Sequence, residues 1–202
     1  MSTTVRELTG SISAHFESGS RGVKTVSSGK GDLGGVSYGA HQLASNNGSM
    51  AKFLASEFGA PYRAAFAGKQ PGTKEFSAVY TSIANAKPEE FEAAQFRYIC
   101  PTHYAPQSKK LSASGIDIAT RHVAVRECVF SVSVQYGANT SLIVKALGEN
   151  YTGTDSDFIT KVQTYRGDTV KTYFKSSSAA VQDSVKQRSK DELAMLKKLL
   201  AT

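Results

Sequence analysis

Two carboxylates flank a glycine-rich segment near the start of the 202-residue chain. Glu17 closes a segment of periodic apolar residues, and Asp32 lies in a stretch that has seven glycines between residues 19 and 39. Two acids held at the edge of such a loop can cut a glycosidic bond, because one protonates the leaving oxygen while the other activates water. An inverting glycosidase needs about 6.5–9.5 Å between its carboxyl groups, and a folded-back glycine hairpin can provide that separation.

The residues around this pair resemble the lysozyme superfamily, which includes phage endolysins, chitosanase-like glycosidases and lytic transglycosylases. The resemblance lies in Glu17-Ser18 at a predicted helix end, the glycine-rich turn, Gly35-Val36-Ser37-Tyr38-Gly39, and Gln42 with Leu43. It covers residues 12–43 well and 123–137 loosely, the latter through Ser-Val-Ser-Val-Gln-Tyr-Gly at 131–137. The likeness implies a mainly α (α+β) fold: a helical bundle around a central buried helix, with a small β-hairpin beside an active-site cleft.

The same likeness implies roles for individual residues. Glu17 corresponds to the catalytic acid, Asp32 to the second acid of the chitosanase-like branch, and Ser37 to a hydroxyl residue that orients the attacking water. The residues predicted to contact the glycan are Ser18, Tyr38, His41 and Gln42. Each residue also has a plainer interpretation, since Asp is a common turn former, a Ser hydroxyl is common in strands, and most acids at helix ends are solvated.

The resulting hypothesis is a muramidase-type endolysin that cleaves β-1,4 links in peptidoglycan by inversion. Three alternatives stay open. A lytic transglycosylase needs only the acid, because the sugar attacks itself. A chitosanase-like enzyme would act on a cationic polymer, which suits a chain of net charge +7 poorly. The third alternative is a non-catalytic wall-binding module of a phage or secretion particle.

The apolar spacing predicts the elements that must position these residues. A first helix is expected from Thr3 or Thr4 to Glu17, with His15 packed inward, and a small hairpin or irregular sheet from 23–26 and 33–38. Further helices are predicted to begin at Ser49, Thr73 and Pro88, and residues 101–117 are predicted to form a loop or short turns. The remaining predictions are a buried helix within 118–136, two shorter helices, a long helix over 179–200, and one domain spanning 1–202.

The charge of the chain favours anionic partners. From Lys161 onward there are nine Lys and Arg against four Asp and Glu. The predicted partners are peptidoglycan strands and, through the basic C-terminal helix, an anionic envelope lipid, although the pattern favours the plainer interpretation of that helix, with its polar face in water. No zinc-finger spacing, RNA-recognition signature or arginine-rich arm is present, so nucleic acid is not predicted as a partner. A monomer is expected.

No metal or cofactor is predicted, because the four histidines are scattered and lack zinc-ligand spacing. Cys100 and Cys128 are interpreted as buried thiols rather than as a disulfide framework. The first residues contain no apolar segment like that of a secretory signal. The expected location is therefore the cytoplasm until release to the periplasm or cell wall, with virion-borne or secretion-delivered action as alternatives.

Overall fold

The computed structural model describes residues 7–30 and 33–202, so Asp32 lies outside the described residues. The described chain is mostly helical with one small antiparallel sheet, which confirms the predicted fold class. Its α-helices are α1 (Ser11–Ser18), α2 (Ser49–Ala55), α3 (Ala60–Arg63), α4 (Lys74–Ala86), α5 (Pro88–Ile99), α6 (Ala105–Ala113), α7 (Val123–Tyr136), α8 (Leu142–Leu147), α9 (Asp155–Asp168), α10 (Val170–Tyr173) and α11 (Ala179–Leu200). Shorter turns are 3₁₀ at Gly19–Lys24 and Ala64–Phe66, and π-helical at Cys100–Tyr104.

The chain divides into two compact units. One unit is Ser13–Pro101, and the other combines the residues up to Ile12 with Thr102–Thr202. The Ser13–Pro101 unit contains the sheet and every predicted site residue that the structure describes.

The second unit is built around α7, as the sequence predicts for a buried central helix. Ten of the 14 residues of α7 are buried, and they lie on all sides of the helix. The helix begins after His122, whose Nδ1 accepts a hydrogen bond from the Ala124 amide (3.2 Å), and it ends at Gly137, whose φ is +90°. The predicted range of the long last helix, α11, is also confirmed, and the structure shows that Ser178 caps it by accepting from the Val181 amide.

The core of the Ser13–Pro101 unit is aromatic. Tyr80 of α4 lies 5.0 Å from Tyr38 and 5.1 Å from Phe91 between ring centroids, and Phe76 lies 5.1 Å from Tyr38. Phe76 and Tyr80 are one helical turn apart, so both reach the same side of α4. The predicted starts of α4 and α5 are confirmed. The Thr73 hydroxyl caps α4 by accepting from the Phe76 amide (3.2 Å), and Pro88 occupies the first turn of α5.

The first helix is shorter than predicted. Residues 7–10 are not helical, and α1 begins at Ser11 because Gly10 adopts a φ of +69°, which a right-handed helix does not accommodate. Glu127 holds this non-helical segment, since its Oε1 accepts the backbone amides of Thr9 (2.7 Å) and Gly10 (2.9 Å). The prediction that His15 is packed in the core is wrong, because that side chain is exposed.

The loop predicted over 101–117 is also wrong for most of its length. The π-helical turn at Cys100–Tyr104 leads directly into α6. Pro106 lies in the first turn of α6, where its missing amide hydrogen has no intrahelical partner to lose. The segment ends as a helix should, because Gly115 takes a φ of +71° and the Ile116 amide donates back to the Leu111 carbonyl (2.9 Å).

The small sheet contains the predicted pairing only as a single bridge, and its two strands pair elsewhere. β1 (Ser37–Tyr38) pairs antiparallel with β2 (Leu43–Ala44), whereas residues 23–26 contribute a single bridge, from Val26 to Tyr38. Most of 19–24 instead forms a 3₁₀ turn that is interrupted at Gly22, where φ is +52°. A tight turn separates β2 from β1, whereas a longer segment separates residues 23–26 from β1. The shorter connection favours a hairpin of β1 with β2. Among the described helices, none is long and apolar enough to cross a bilayer.

Candidate active site

Glu17 is the penultimate residue of α1 and is half-buried. Gly19 follows with a φ of +60°, so the helix ends where the sequence predicts. Ser18, a predicted substrate contact, is buried, and its hydroxyl donates to the Ala14 carbonyl one turn earlier (2.7 Å). This geometry gives Ser18 a role in the helix end rather than at a surface open to a glycan.

Thr25 connects the end of α1 to the hairpin. Its Oγ1 donates to the Ser18 carbonyl (3.3 Å), and its own carbonyl accepts from the Gly39 amide (2.8 Å). Thr25 is 2% exposed, so both bonds lie out of water. The residue next to Glu17 and the residue that follows β1 are therefore tied to the same buried threonine.

Ser37 lies in β1 and is buried. Ser27 fixes it from two directions, because the Ser27 amide donates to the Ser37 carbonyl (2.9 Å) and the Ser27 hydroxyl accepts from the Ser37 amide (2.8 Å). Ser37 thus has a well-defined place in the same unit as Glu17. The position of the predicted base, Asp32, is not described.

Tyr38 does not have the exposure expected of a sugar contact. Its side chain is fully buried, and its hydroxyl accepts from the Gly72 amide (2.9 Å) and bonds with the Ser77 hydroxyl (3.0 Å). The prediction that Tyr38 contacts glycan is therefore corrected. Its ring packs in the aromatic core, and its hydroxyl forms hydrogen bonds with Gly72, just before α4, and with Ser77 of α4.

His41 and Gln42 lie in the turn that joins β1 to β2. His41 is buried, with its ring centroid 6.2 Å from that of Phe96. Gln42 is half-buried and has a φ of +51°, which is uncommon for a residue with a side chain. Its amide and its Nε2 both donate to the Gly39 carbonyl (3.2 and 2.9 Å). An unfavourable backbone angle at a predicted binding residue is consistent with a functional constraint.

Three further polar side chains belong to this region and were not predicted: Tyr80, Glu92 and Gln95. Tyr80 and Glu92 bond the backbone of Val23, in the turn that follows Glu17 and Ser18, and Gln95 donates to the Tyr80 hydroxyl. Gln95 could have been found from the sequence, because a polar residue four positions after the apolar Phe91 falls on the buried face of its helix.

No group of three or more His, Cys, Asp or Glu residues that could hold a metal ion occurs within 7–30 and 33–202. Two surface hollows of the Ser13–Pro101 unit, of about 390 and 630 Å³, include none of the predicted site residues in their linings. Cys100 and Cys128 are not joined to each other, and Cys128 is buried as predicted, whereas Cys100 is only half-buried.

The fold is similar to that of a solved glycosidase. A crystal structure of native chitosanase from Bacillus subtilis MY002 matches with a TM-score of 0.56 at 18% sequence identity, over 95% of this chain and 85% of that chain. At this identity the likeness shows the fold alone, and it confirms the lysozyme-like fold class.

Sequence comparison leads to a secretion protein rather than to a phage endolysin. The chain is 38% identical over 189 residues to the type VI secretion system spike protein VgrG3 of Vibrio cholerae serotype O1 (strain ATCC 39315 / El Tor Inaba N16961). The match covers 93% of this chain but only 18% of that relative's length. A family model described as "Type VI secretion system spike protein VgrG3-like, C-terminal" matches residues 9–193. The chain therefore belongs to the family of VgrG3-like C-terminal domains of type VI secretion system spike proteins.

Proposed function

We propose that this chain is a peptidoglycan hydrolase that cleaves β-1,4 glycosidic bonds with inversion. The observation that carries the proposal is the placement of Glu17 at the end of α1, half-buried and one residue from the carbonyl that Thr25 binds. Thr25 in turn binds the hairpin that carries Ser37. A general acid needs partial shielding from water together with access to substrate, and the end of a helix beside a glycine-rich segment can provide both.

In the proposed reaction Glu17 donates its proton to the glycosidic oxygen as the bond from that oxygen to the anomeric carbon breaks. Asp32 takes a proton from a water molecule, whose oxygen attacks the anomeric carbon from the opposite face. Ser37 orients that water. The products are two glycan fragments with one new reducing end. Asp32 then releases its proton to solvent and Glu17 takes one up, which restores the starting state of the pair.

Gln42 is the strongest candidate for a glycan contact. It is half-exposed, and the hairpin turn fixes its backbone. His41 lies next to it but is buried, so it would support the turn from inside. The net charge of +7 favours an anionic wall polymer over cationic chitosan.

The family supports delivery by secretion, with action at the cell wall. A non-catalytic wall-binding module of the spike is the competing function, since the family is named for a spike protein rather than for an enzyme. The predicted contact with anionic lipid and the predicted monomer stay predictions.

The deciding experiment is a lysis assay of the purified chain on isolated peptidoglycan, with Glu17→Gln beside it. Glu57→Gln is the matched control, because it makes the same change at an exposed glutamate of the same unit. We expect Glu17→Gln to lower the rate by about 10²–10⁴-fold, the usual contribution of a general acid, and Glu57→Gln to leave it unchanged.

Analysis of the products separates the remaining alternatives. A new reducing end indicates hydrolysis, an anhydro sugar indicates a transglycosylase, and faster release from chitosan indicates a chitosanase-like enzyme. Binding to peptidoglycan without cleavage by the unmodified chain would replace the proposal with the wall-binding module.

A further inference from the structure

The backbone of Val23 is held at both of its polar groups by side chains from α4 and α5, one of them buried (Tyr80) and the other half-buried (Glu92). Its carbonyl accepts from the Tyr80 hydroxyl (2.7 Å), and its amide donates to Glu92 Oε2 (3.2 Å). Gln95 completes the arrangement, because its Nε2 donates to the Tyr80 hydroxyl (2.9 Å). We call Tyr80, Glu92 and Gln95 the Val23 clamp.

Burying the polar groups of the clamp costs desolvation free energy, which their hydrogen bonds must offset. Tyr80 and Gln95 have no exposed surface, and a buried polar group stabilises a fold only when it is bonded. Burial raises the pKa of Tyr80 above its ordinary value, which outweighs the opposing hydrogen bond from Gln95. The hydroxyl therefore keeps its proton throughout the neutral range and remains a donor to Val23.

The same side chains also touch the hairpin. Gly39 adopts a φ of +77°, and a Cβ placed on it would lie 2.0 Å from Gln95 Oε1 and 2.5 Å from the Tyr80 hydroxyl. The backbone of Gly39 therefore rests directly on the Tyr80–Gln95 pair. Only glycine fits there, since any side chain would push the hairpin away from the clamp.

Two segments thus meet on one pair of side chains. The first is the turn that follows Glu17, and the second is the end of β1, which carries Ser37. Thr25 joins them a second time, through Ser18 and Gly39. The contacts of Tyr80, Glu92 and Gln95 come from two helices outside the glycine-rich stretch, so they constrain the two segments in addition to Thr25.

We propose that the Val23 clamp is a set of positioning residues that fixes the distance between Glu17 and the hairpin, an inference that rests on the proposed function. The clamp touches neither substrate nor the reacting atoms. It acts through the backbone of Val23 and Gly39. A misplacement of about 1 Å at a reacting group can cost on the order of 10²-fold in rate, so a fixed separation is worth preserving.

The kinetic test uses substitutions that remove one bond and little volume. Tyr80→Phe removes the hydroxyl and keeps the ring, and Glu92→Met removes the acceptor, whereas Glu92→Gln retains an acceptor oxygen. We expect the first two to lower kcat by about 10–100-fold with KM within about twofold, and Glu92→Gln to keep most of the activity. Tyr62→Phe is the control, because it makes the same change on α3, outside the clamp.

A purely structural clamp would give a different pattern: the variants would lose thermal stability while the kcat of the folded fraction stayed at the level of the unmodified chain. That result would overturn the proposal. So would equal loss of activity in Glu92→Gln and Glu92→Met.

Hydrogen exchange tests the clamp without relying on activity. The amides of Val23 and Gly39 should be protected in the unmodified chain, and in Tyr80→Phe both should exchange about five- to tenfold faster, as expected when one bond of about 1 kcal/mol is lost. Unchanged exchange at both amides would rule out the clamp even in an active enzyme. If Tyr80→Phe speeds exchange but the unmodified chain does not cleave peptidoglycan, the clamp holds the two segments and the proposed function is wrong. That result would overturn the catalytic part of this inference.

Discussion

Arg166 and Glu192 form an ion pair in which neither side chain is exposed. Nη1 of Arg166 lies 2.9 Å from Oε1 of Glu192. Gln163 bridges the pair, since its Nε2 donates to Glu192 Oε1 (3.0 Å) and its Oε1 accepts from Arg166 Nη1 (3.1 Å). Arg188 approaches the other carboxylate oxygen at 3.5 Å. This network joins α9 to α11 and satisfies two charges that would otherwise be very costly to bury.

Glu192→Gln should destabilise the fold by about 3–5 kcal/mol, because it leaves the Arg166 charge buried without its counter-charge. The measurement is the free energy of unfolding from denaturant titration. Asp191→Asn is the matched control, since Asp191 is the exposed neighbour on the same helix and its change should fall within about 0.5 kcal/mol. Equal effects of the two substitutions on the free energy of unfolding would contradict the claim that the buried network is a major contribution to stability.

The pH dependence of stability should carry the signature of Glu192. Burial raises the pKa of this carboxyl, but the charges of Arg166 and Arg188 and the hydrogen bonds from Ser131 and Arg166 outweigh burial and hold the pKa below its ordinary value. The unfolded chain therefore binds the proton more readily than the folded chain. The contribution of Glu192 to the free energy of unfolding is complete above the ordinary carboxyl pKa of about 4.3. It is lost as the pH falls through the lower pKa of the folded state.

Unfolding curves of the unmodified chain and of Glu192→Gln, recorded between neutral and acidic pH, test this point. The difference in unfolding free energy should be constant near neutrality and should shrink below about pH 4. A difference that grows on acidification would mean that the folded pKa is raised instead.

The substitution Gln42→Gly distinguishes two possible roles of Gln42, as a turn residue only or also as a glycan contact. Glycine adopts the positive φ of this position without strain, which offsets the loss of the side-chain bond to Gly39, so stability should change by less than about 1 kcal/mol. If Gln42 binds glycan, KM for peptidoglycan fragments should rise while kcat changes little. An unchanged KM would restrict Gln42 to the turn.

Cys128 should resist modification in the folded chain. Burial and the charge of Glu192 raise the pKa of its thiol to about 12, against the opposing effects of Arg166 and Gln163. Since the thiolate is the reactive form, a disulfide reagent at pH 8 should reach Cys128 only after unfolding. Comparison with Cys128→Ala tests this, because that variant should show the same rapid thiol reaction as the unmodified chain. Loss of a rapidly reacting thiol in the variant would contradict the prediction.

Local patterns were enough to predict most helices. Thr73 followed by an apolar period predicted α4, and the continuous apolar stretch before Gly137 predicted the buried α7. The prolines of 101–117 misled the interpretation, because proline disrupts a helix interior but is accepted in a first turn. The sequence does not state which of these places a proline will occupy.

The candidate site was predicted less completely than the helices. The end of α1 at Glu17 and Ser18 followed from Gly19, which is a local signal. The burial of Tyr38 did not, because it depends on Phe76, Tyr80 and the Gly72 amide, which come from later in the chain. The same holds for the contact of Gly39 with Gln95.

The amino-acid sequence alone therefore determined the helical character, the end of α1 beside a glycine-rich turn, and the resemblance that singled out Glu17. These properties depend on backbone preferences and on apolar spacing within one or two helical turns. The tertiary structure alone decided which polar side chains are buried and bonded, from the Val23 clamp to the Arg166–Glu192 pair. Their partners are brought together only when separate helices pack, so no local pattern identifies them.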